Sequence, residues 1–329
     1  MTTPPLPEPP AVAGLTWRPA AFDDAAALAR LHTACYEVDG GYLMVAEEFR
    51  DELDDDNDDI ERDALVAVDG EGGIAAFVAL HVPGGEATER RCFPWGNVHP
   101  AWRRRGIGRF LVAWSEARAA QRFAGYGDGL PTMIRLSAYD TQADRIALFQ
   151  RSGYVPGRYF TEMIRDLSLP LPERAAPEGI EIRLWDDEHS EAARAVHNAA
   201  FADHWGSQPV TEYSWTKWRN EFWLPEASFV AFDGGEAVAY LHSAAYPHDF
   251  ESRGRTEAWT EGLGTIGSHR GRGIASALLA RAMEAYRTRG MEYAALGVDT
   301  ENPTGAFGLY TRLGFEVDKT SITFLKPGP

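Results

Sequence analysis

Two glycine-rich turns of one type occur in this chain, and each has the composition of a phosphate-binding loop. The first is Arg103-Arg104-Arg105-Gly106-Ile107-Gly108, and the second is Arg270-Gly271-Arg272-Gly273-Ile274-Ala275. Each follows a predicted strand and begins a long helix with an apolar face. Such a turn directs backbone N–H groups and a helix N-terminus at one point, which suits a pyrophosphate. The arginines of the first turn favour an anion, or they belong to a solvated turn.

The elements that position these turns are repeated as well. Landmarks in the first half, such as Arg18, His32 and Gly153, recur about 165 residues later as Arg183, His197 and Gly314, which indicates one tandem duplication. Each half reads as a strand, an amphipathic helix, a second helix, a β-meander, the loop with its helix, a strand, a short helix and a final strand. The sequence therefore predicts two α/β (α+β) domains, each a mixed, mostly antiparallel sheet flanked by helices.

Composition sets the domain boundaries that we predict. Residues 1–13 are Pro-rich and predict a flexible tail, and residues 169–179 contain three prolines and predict an extended linker. The first domain is then residues 14–168 and the second is residues 180–329.

Charge and cysteine content restrict the function. The net charge of −17 argues against nucleic acid as a partner. It favours a cationic small molecule, or it serves only solubility. The two cysteines, Cys35 and Cys92, form no disulfide framework and no metal cluster, so we expect a cytoplasmic protein without a metal. No apolar run approaches membrane-spanning length, so we expect no membrane contact, and the expected assembly is a monomer or a homodimer.

The densest acidic segment is residues 51–63. A Ca²⁺ loop would need a central Gly and a bidentate Glu at its last position, and both are missing here. A solvated loop is the preferred interpretation.

The sequence around both turns resembles the GNAT family of N-acetyltransferases. The stretch Val98-His99-Pro100-Ala101-Trp102 before the first turn is similar to the family's Val-x-Pro approach to an Arg-x-x-Gly-x-Gly/Ala loop, and Thr265-Ile266-Gly267-Ser268-His269 precedes the second. Residues 302–315, with Asn302, Tyr310, Gly314 and Phe315, resemble the family's Asn…Tyr-x-x-x-Gly-Phe ending. The tandem layout is similar to that of the mycothiol synthases, which are two-domain members.

The resemblance implies acetyl-CoA, or another acyl-CoA, as co-substrate. It implies that the loops bind the pyrophosphate, that the splayed strand before each loop pairs with the pantetheine arm, and that the Asn contacts the pantetheine region. The implied residues of the second half are Leu263, Gly264, Thr265, Ile266, Arg270, Gly271, Arg272, Gly273, Ile274, Ala275, Ser276 and Asn302. Those of the first half are Val98, Arg103, Arg104, Arg105, Gly106, Ile107 and Gly108.

Tyr310 is the implied acid, because the family's Tyr lies near the thioester sulfur. A phenol is a proton donor of suitable strength for a departing thiolate. With Gly153 and Gly314 as fixed points, Tyr310 aligns with Phe149 and Asn302 aligns with Thr141. The first half is therefore predicted to be catalytically impaired but still shaped to hold coenzyme A.

The general base is less defined by the sequence. Glu257 and Glu261 lie on the strand before the second loop and share a face if that strand is regular. Glu261 is nearer the predicted splay and is preferred, while the position most like the family's Glu holds Trp259. Both glutamates can equally be surface residues, and His242 is a third candidate.

The early helices of the second half are expected to form the acceptor site. Trp215, Trp218 and Phe222 have the spacing of one helical face. Core packing is the preferred role for most of them, with an aromatic pocket for a cation or a ring as the alternative. Asp203 either anchors an amine or caps a turn.

Three functions remain open on the sequence. The preferred one is an acyl-CoA-dependent N-acyltransferase that acetylates a primary amine of a small molecule, by direct attack in a ternary complex. The alternatives are a CoA-binding regulatory or scaffold protein without turnover, and a peptide or protein N-acetyltransferase.

Overall fold

The computed structural model describes residues 4–301 and 305–328, and the chain divides into two compact units. Unit 1 contains residues 1–158 and 321–329, and unit 2 contains residues 159–320. Among the described residues, no helix is long and apolar enough to cross a membrane.

Unit 1 is a six-stranded mixed sheet with helices. Its strand order is β1-β2-β3-β4-β5-β12. The strands are β1 (Leu15–Pro19), β2 (Ala64–Asp69), β3 (Ile74–His81), β4 (Arg90–Val98), β5 (Thr132–Tyr139) and residues 321–327 of β12 (Glu316–Pro327). The helices are α1 (Ala25–Asp39), α2 (Ala46–Leu53), α3 (Ile60–Asp63), α4 (Ile107–Tyr126) and α5 (Ala143–Arg151).

Unit 2 repeats this plan with the strand order β6-β11-β10-β9-β8-β7. Its strands are residues 160–166 of β6 (Val155–Asp166), then β7 (Ile180–Leu184), β8 (Phe229–Asp233), β9 (Glu236–Ala244), β10 (Glu257–Thr265) and β11 (Tyr293–Asp299). Its helices are α6 (Ser190–Phe201), α7 (Glu212–Lys217), α8 (Phe250–Arg253), α9 (Ile274–Thr288) and α10 (Ala306–Arg312).

The predicted fold class is confirmed in both units. Each sheet is antiparallel except for one parallel pair, β4 with β5 in unit 1 and β10 with β11 in unit 2. Each parallel pair is joined by the helix that follows the glycine-rich loop, because parallel strands require a crossover connection. Apolar side chains of α9, among them Leu278 and Met283, form one buried core with the sheet of unit 2 and with Leu313, which directly follows α10.

The division into units differs from the boundaries predicted from sequence, because each unit takes its last strand from the other half of the chain. In unit 2, residues 160–166 pair antiparallel with β11. In unit 1, residues 321–327 pair antiparallel with β5, and Phe324 is fully buried there. Residues 170–177 form no regular structure, and neither do residues 4–12 of the predicted tail.

Candidate active site

Strand β10 separates from one of its neighbours halfway along its length. It pairs with β11 over residues 257–260 and with β9 as far as Thr265. The β9 register shifts between Thr260 and Gly262, so Glu261 forms a β-bulge. Beyond the bulge, the described residues offer no strand partner on the β11 side. The sequence-predicted residues Leu263, Gly264, Thr265 and Ile266 lie along this open edge, where an extended ligand can pair with the backbone.

The second loop has the geometry of an anion cradle. Gly271 has φ 76° and Gly273 has φ 88°, and Gly273 is the residue on which α9 begins. No atom beyond the neighbouring residues lies within 4 Å of where a Cβ would stand at these two positions, so a ligand can approach the backbone. Ile274 at the start of α9 is buried and anchors the helix, followed by Ala275 and Ser276 in its first turn. These residues fit a pyrophosphate bound by N–H groups and the positive end of the helix dipole.

The arginine side chains of this loop already have protein partners. Arg270 donates to the carbonyl oxygens of Thr265 (3.2 Å) and Ala200 (2.6 Å), which links the loop to the end of β10 and to α6. Arg272 donates to Asp233 at 2.9 Å, and this hydrogen bond, against the opposing effect of burial, lowers the pKa of Asp233. The anion site therefore depends on the backbone, with the arginines fixing the shape of the loop.

Tyr310 lies on α10 and is buried, with its ring 6.1 Å from that of Phe315. Burial raises the pKa of Tyr310 to about 12. The phenol therefore stays protonated at neutral pH, which is the state that a general acid needs.

Glu261 combines exposure to solvent with a dense shell of protein atoms. Its accessible area is that of an exposed residue, yet desolvation raises the pKa of its carboxyl group above the ordinary value. The hydroxyl of Tyr246 donates to Glu261 at 3.1 Å and lowers this pKa, whereas the charge of Glu162 raises it.

Glu257 has a different environment, because arginines surround it. Its carboxylate lies 3.0 Å from Arg253 and 2.7 Å from Arg255, and it accepts the indole N–H of Trp259 at 2.9 Å. The side chain is almost fully buried. The expectation that Glu257 and Glu261 share a face required a regular strand, and the bulge between them removes that condition. The carboxylate of Glu257 is therefore occupied by ion pairs, which favours a structural role.

His242 lies opposite Gly262 on β9 and is also buried. Burial lowers its pKa to about 4, against the opposing effect of a backbone hydrogen bond with Trp218, and the ring packs 5.4 Å from Trp185. On the same face, His197 and the hydroxyl of Tyr240 are 2.7 Å apart, a buried pair that the sequence did not identify. These contacts assign both histidines to the packing behind the bulge.

The aromatic residues of the predicted acceptor region separate into two groups. Helix α7 ends at Lys217, so Trp215, Trp218 and Phe222 do not form one helical face. Trp215 is buried and stacks on Trp185 at 5.1 Å, and it contacts Trp218 at 5.2 Å. Phe222 lies elsewhere, beside Tyr246 and therefore near Glu261. Asp203 is exposed in the turn after α6, and Asn302 lies outside the described residues.

Unit 1 has the same frame with different side chains. Strand β4 pairs with β5 only over residues 90–92 and then diverges toward Val98. Arg103 forms a two-point ion pair with Asp39 (2.8 and 2.6 Å) and donates to the Val98 carbonyl, so it has the role of Arg270. Arg104 has φ 63° where the second loop has Gly271. Ile107 and Gly108 begin α4 after Gly106, as Ile274 and Ala275 begin α9.

Two of the three arginines of the first loop are thus ion-paired. Arg104 pairs with Asp144, and Arg105 lies over the Trp102 ring at 4.7 Å. The sequence-based interpretation of this run as anion-binding side chains loses most of its support, since Arg103 and Arg104 are already neutralised by carboxylates. In unit 1, as in unit 2, the features that would suit an anion are those of the backbone.

Phe149 occupies in unit 1 the place that Tyr310 has in unit 2. The Phe149 carbonyl accepts the N–H groups of Ser152 and Tyr154, and the Tyr310 carbonyl accepts the N–H groups three and five residues further on. The Phe149 ring packs against Phe324 at 5.6 Å. The frame is the same, but Phe149 has no proton to donate.

The acidic segment before β2 is exposed over most of its length, as a solvated loop is, but arginines hold two of its carboxylates. Asp63 is almost fully buried and pairs with Arg118 (2.7 Å) and with Arg122. Asp58 accepts the Val82 N–H and pairs with His81 at 2.8 Å, and its hydrogen bond is a cause that raises the pKa of His81 against burial. Asp55, Asp58 and His81 have potential metal-ligand atoms within 4.8 Å of one another. The Asp58 carboxylate is already paired with His81 and Arg122.

Comparisons with known proteins agree with this architecture. Residues 178–315 match the model of the Acetyltransferase (GNAT) family, and residues 61–156 match that of the Acetyltransferase (GNAT) domain. Mycothiol acetyltransferase from Thermobispora bispora is 29% identical over 261 residues, 76% of this chain and 79% of the relative. The mycothiol acetyltransferase from Salinispora arenicola is 32% identical over 221 residues, 66% of this chain and 67% of the relative.

A solved structure has the same fold over nearly the whole chain. The GCN5-related N-acetyltransferase from Sphaerobacter thermophilus superimposes with a TM-score of 0.76 and 26% identity, covering 96% of both chains. With two family matches in tandem and the splayed strand, loop and helix in each unit, the chain belongs to the GNAT family and is a tandem N-acetyltransferase.

Proposed function

We propose that the second domain transfers an acetyl group from acetyl-CoA to the primary amine of a small molecule. The observation that carries the proposal is the bulge at Glu261. It presents a desolvated carboxylate at the point where β10 leaves β11 and where the open strand edge begins. The similarity to mycothiol acetyltransferases supports a small-molecule acceptor.

The proposed step is a direct attack in a ternary complex. Glu261 takes a proton from the bound amine, the nitrogen forms a bond to the thioester carbonyl carbon, and the carbon–sulfur bond breaks. The thiolate takes the Tyr310 proton, and both residues regain their starting states by exchange with water. The open edge of β10 and the start of α9 hold the donor. General acid and base contributions of this kind are worth about 10²–10⁴-fold each.

Tyr310→Phe tests the proposal. We expect kcat to fall by about 10²–10⁴-fold with an unchanged dissociation constant for acetyl-CoA, because only the proton donor is removed. The measurement is free-thiol release from acetyl-CoA with a panel of amines and peptides. Phe149→Tyr is the matched control and should leave kcat unchanged.

Full turnover by Tyr310→Phe would refute the assigned acid. Absence of thiol release by the wild-type protein with every amine would refute the proposed reaction. Preference for peptides over small amines would move the acceptor to the protein class.

A further inference from the structure

Three aromatic side chains stand beside Glu261 and form what we call the aromatic wall: Phe222, Tyr246 and His248. The Phe222 ring lies 5.2 Å from that of Tyr246 and 5.4 Å from that of His248, and the Tyr246 and His248 rings are 6.0 Å apart. All three side chains are half-buried, so each ring retains accessible surface. The Tyr246 hydroxyl joins the wall to Glu261 at 3.1 Å.

The wall is fixed by backbone hydrogen bonds to the end of β9. The Ala245 N–H donates to the Phe222 carbonyl at 2.9 Å, and the Asp249 N–H donates to the Tyr246 carbonyl at 3.0 Å. Trp223 forms a bridge with Ala244, which places Phe222 at the edge of the same strand. A surface held in this way loses little conformational entropy when a ligand binds.

The Glu261 carboxylate and the ring faces of the aromatic wall together favour a cationic ligand. A carboxylate next to aromatic rings attracts an ammonium ion, since the ring faces carry negative potential and act within about 6 Å. Arg253, on the helix that follows the wall in sequence, is held by Glu257 at 3.0 Å, so its charge is compensated. The large negative charge of the chain adds long-range attraction for a cation.

We propose that the aromatic wall is the acceptor subsite and that it selects an acceptor which arrives as an ammonium ion. This inference rests on the proposed function, because it assigns the acceptor side of the same site. The ammonium binds between the Glu261 carboxylate and the faces of Phe222 and Tyr246. It gives one proton to Glu261 to become the neutral nucleophile, and the second nitrogen proton passes to water after the bond to the thioester carbonyl carbon has formed. Phe222 is a specificity-determining residue in this assignment and takes no part in proton transfer.

A pair of probes of equal shape tests the charge preference without requiring turnover. Choline carries a quaternary ammonium, and 3,3-dimethyl-1-butanol replaces its nitrogen by carbon. We expect the wild-type protein to bind choline about 3- to 30-fold more tightly in calorimetry, the range of a cation–π contact with charge attraction. Phe222→Leu should reduce this ratio toward one, and Phe222→Tyr should restore it.

Kinetics then separate this role from a structural one. With the best acceptor of the amine panel, Phe222→Leu should raise the acceptor KM about 3- to 30-fold and leave kcat and the acetyl-CoA KM unchanged. Phe232→Leu, a buried substitution on β8 in the same unit, is the matched control for loss of packing.

The outcomes distinguish the two proposals. Equal affinity for both probes, or an unchanged acceptor KM in Phe222→Leu, would overturn the ammonium subsite and leave the acetyltransfer reaction standing. A clear choline preference without thiol release would support the subsite and refute the proposed reaction.

Discussion

Glu257 and Glu261 lie on the same strand but in opposite environments. Glu261 sits at a bulge, where protein atoms desolvate it and water still reaches it. Glu257, four residues earlier, is enclosed by Arg253 and Arg255. A base must be free to accept a proton near neutral pH, and a raised pKa brings a carboxylate closer to that condition. The environment, and not the residue type, therefore favours Glu261 over Glu257 as the proposed base.

Glu261→Gln and Glu257→Gln make this contrast testable. Because protonated Glu261 is inactive and burial raises its pKa, the wild-type kcat should fall on the acidic side at a pH above the ordinary range of a glutamate. Glu261→Gln should remove this limb and lower kcat about 10²–10⁴-fold. The measurement is kcat from about pH 5 to pH 9 with one acceptor.

Glu257→Gln is the comparison variant, because a neutral amide no longer compensates the charges of Arg253 and Arg255. It should keep the acidic limb and lower the unfolding free energy by about 1–3 kcal/mol, read from urea denaturation. If Glu257→Gln abolished the limb and Glu261→Gln kept it, the two roles would have to be exchanged.

The glycine-rich loop shows how far local sequence predicts an element. Its composition was enough to predict the turn and the helix that begins at Gly273. The sequence did not reveal that Arg103 would pair with Asp39, since such contacts join residues 64 positions apart. It also did not reveal the bulge at Glu261, which depends on the register with β9. The end of α7 at Lys217 was also not predictable, because the spacing of apolar residues does not define where a helix ends. Backbone pairing begins again at Trp223, which forms a bridge with Ala244.

The two loops differ in backbone strain at one corresponding position. Arg104 has φ 63° and Gly271 has φ 76°, and a side chain in this region costs about 1–2 kcal/mol. Arg104→Gly should therefore raise the unfolding free energy of its unit by about 0.5–1 kcal/mol, whereas Gly271→Arg should lower that of unit 2 by a similar amount. Thermal unfolding measures both.

Asp144→Ala is the control for the ion pair of Arg104. That pair is largely exposed, so its loss should cost less than about 1 kcal/mol. A loss of stability in Arg104→Gly that equals the loss in Asp144→Ala would mean that the ion pair, and not backbone strain, dominates at this corner.

At the scale of the whole molecule, duplication gives two copies of one frame, and only the copy in unit 2 carries the phenol of Tyr310. Both units retain the splayed strand, the loop and the helix, but Phe149 replaces the phenol in unit 1. The repeated landmarks predicted the tandem domains and the order of elements along each half. The exchange of the last strands was not predictable, because alternating apolar patterns specify a strand and its buried face but not its partner.

This exchange predicts where a mutation near the end of the chain has its effect. Phe324 is fully buried in the core of unit 1, so Phe324→Ala should remove about 3–5 kcal/mol from that unit. Hydrogen exchange followed by mass spectrometry should then show faster exchange in β5 and α5, although both precede Phe324 by well over a hundred residues. Met163→Ala is the reciprocal control, since Met163 pairs with Leu296 in unit 2 and should accelerate exchange in β11. Faster exchange confined to unit 2 in Phe324→Ala would show that the last strand belongs to the half of the chain that carries it.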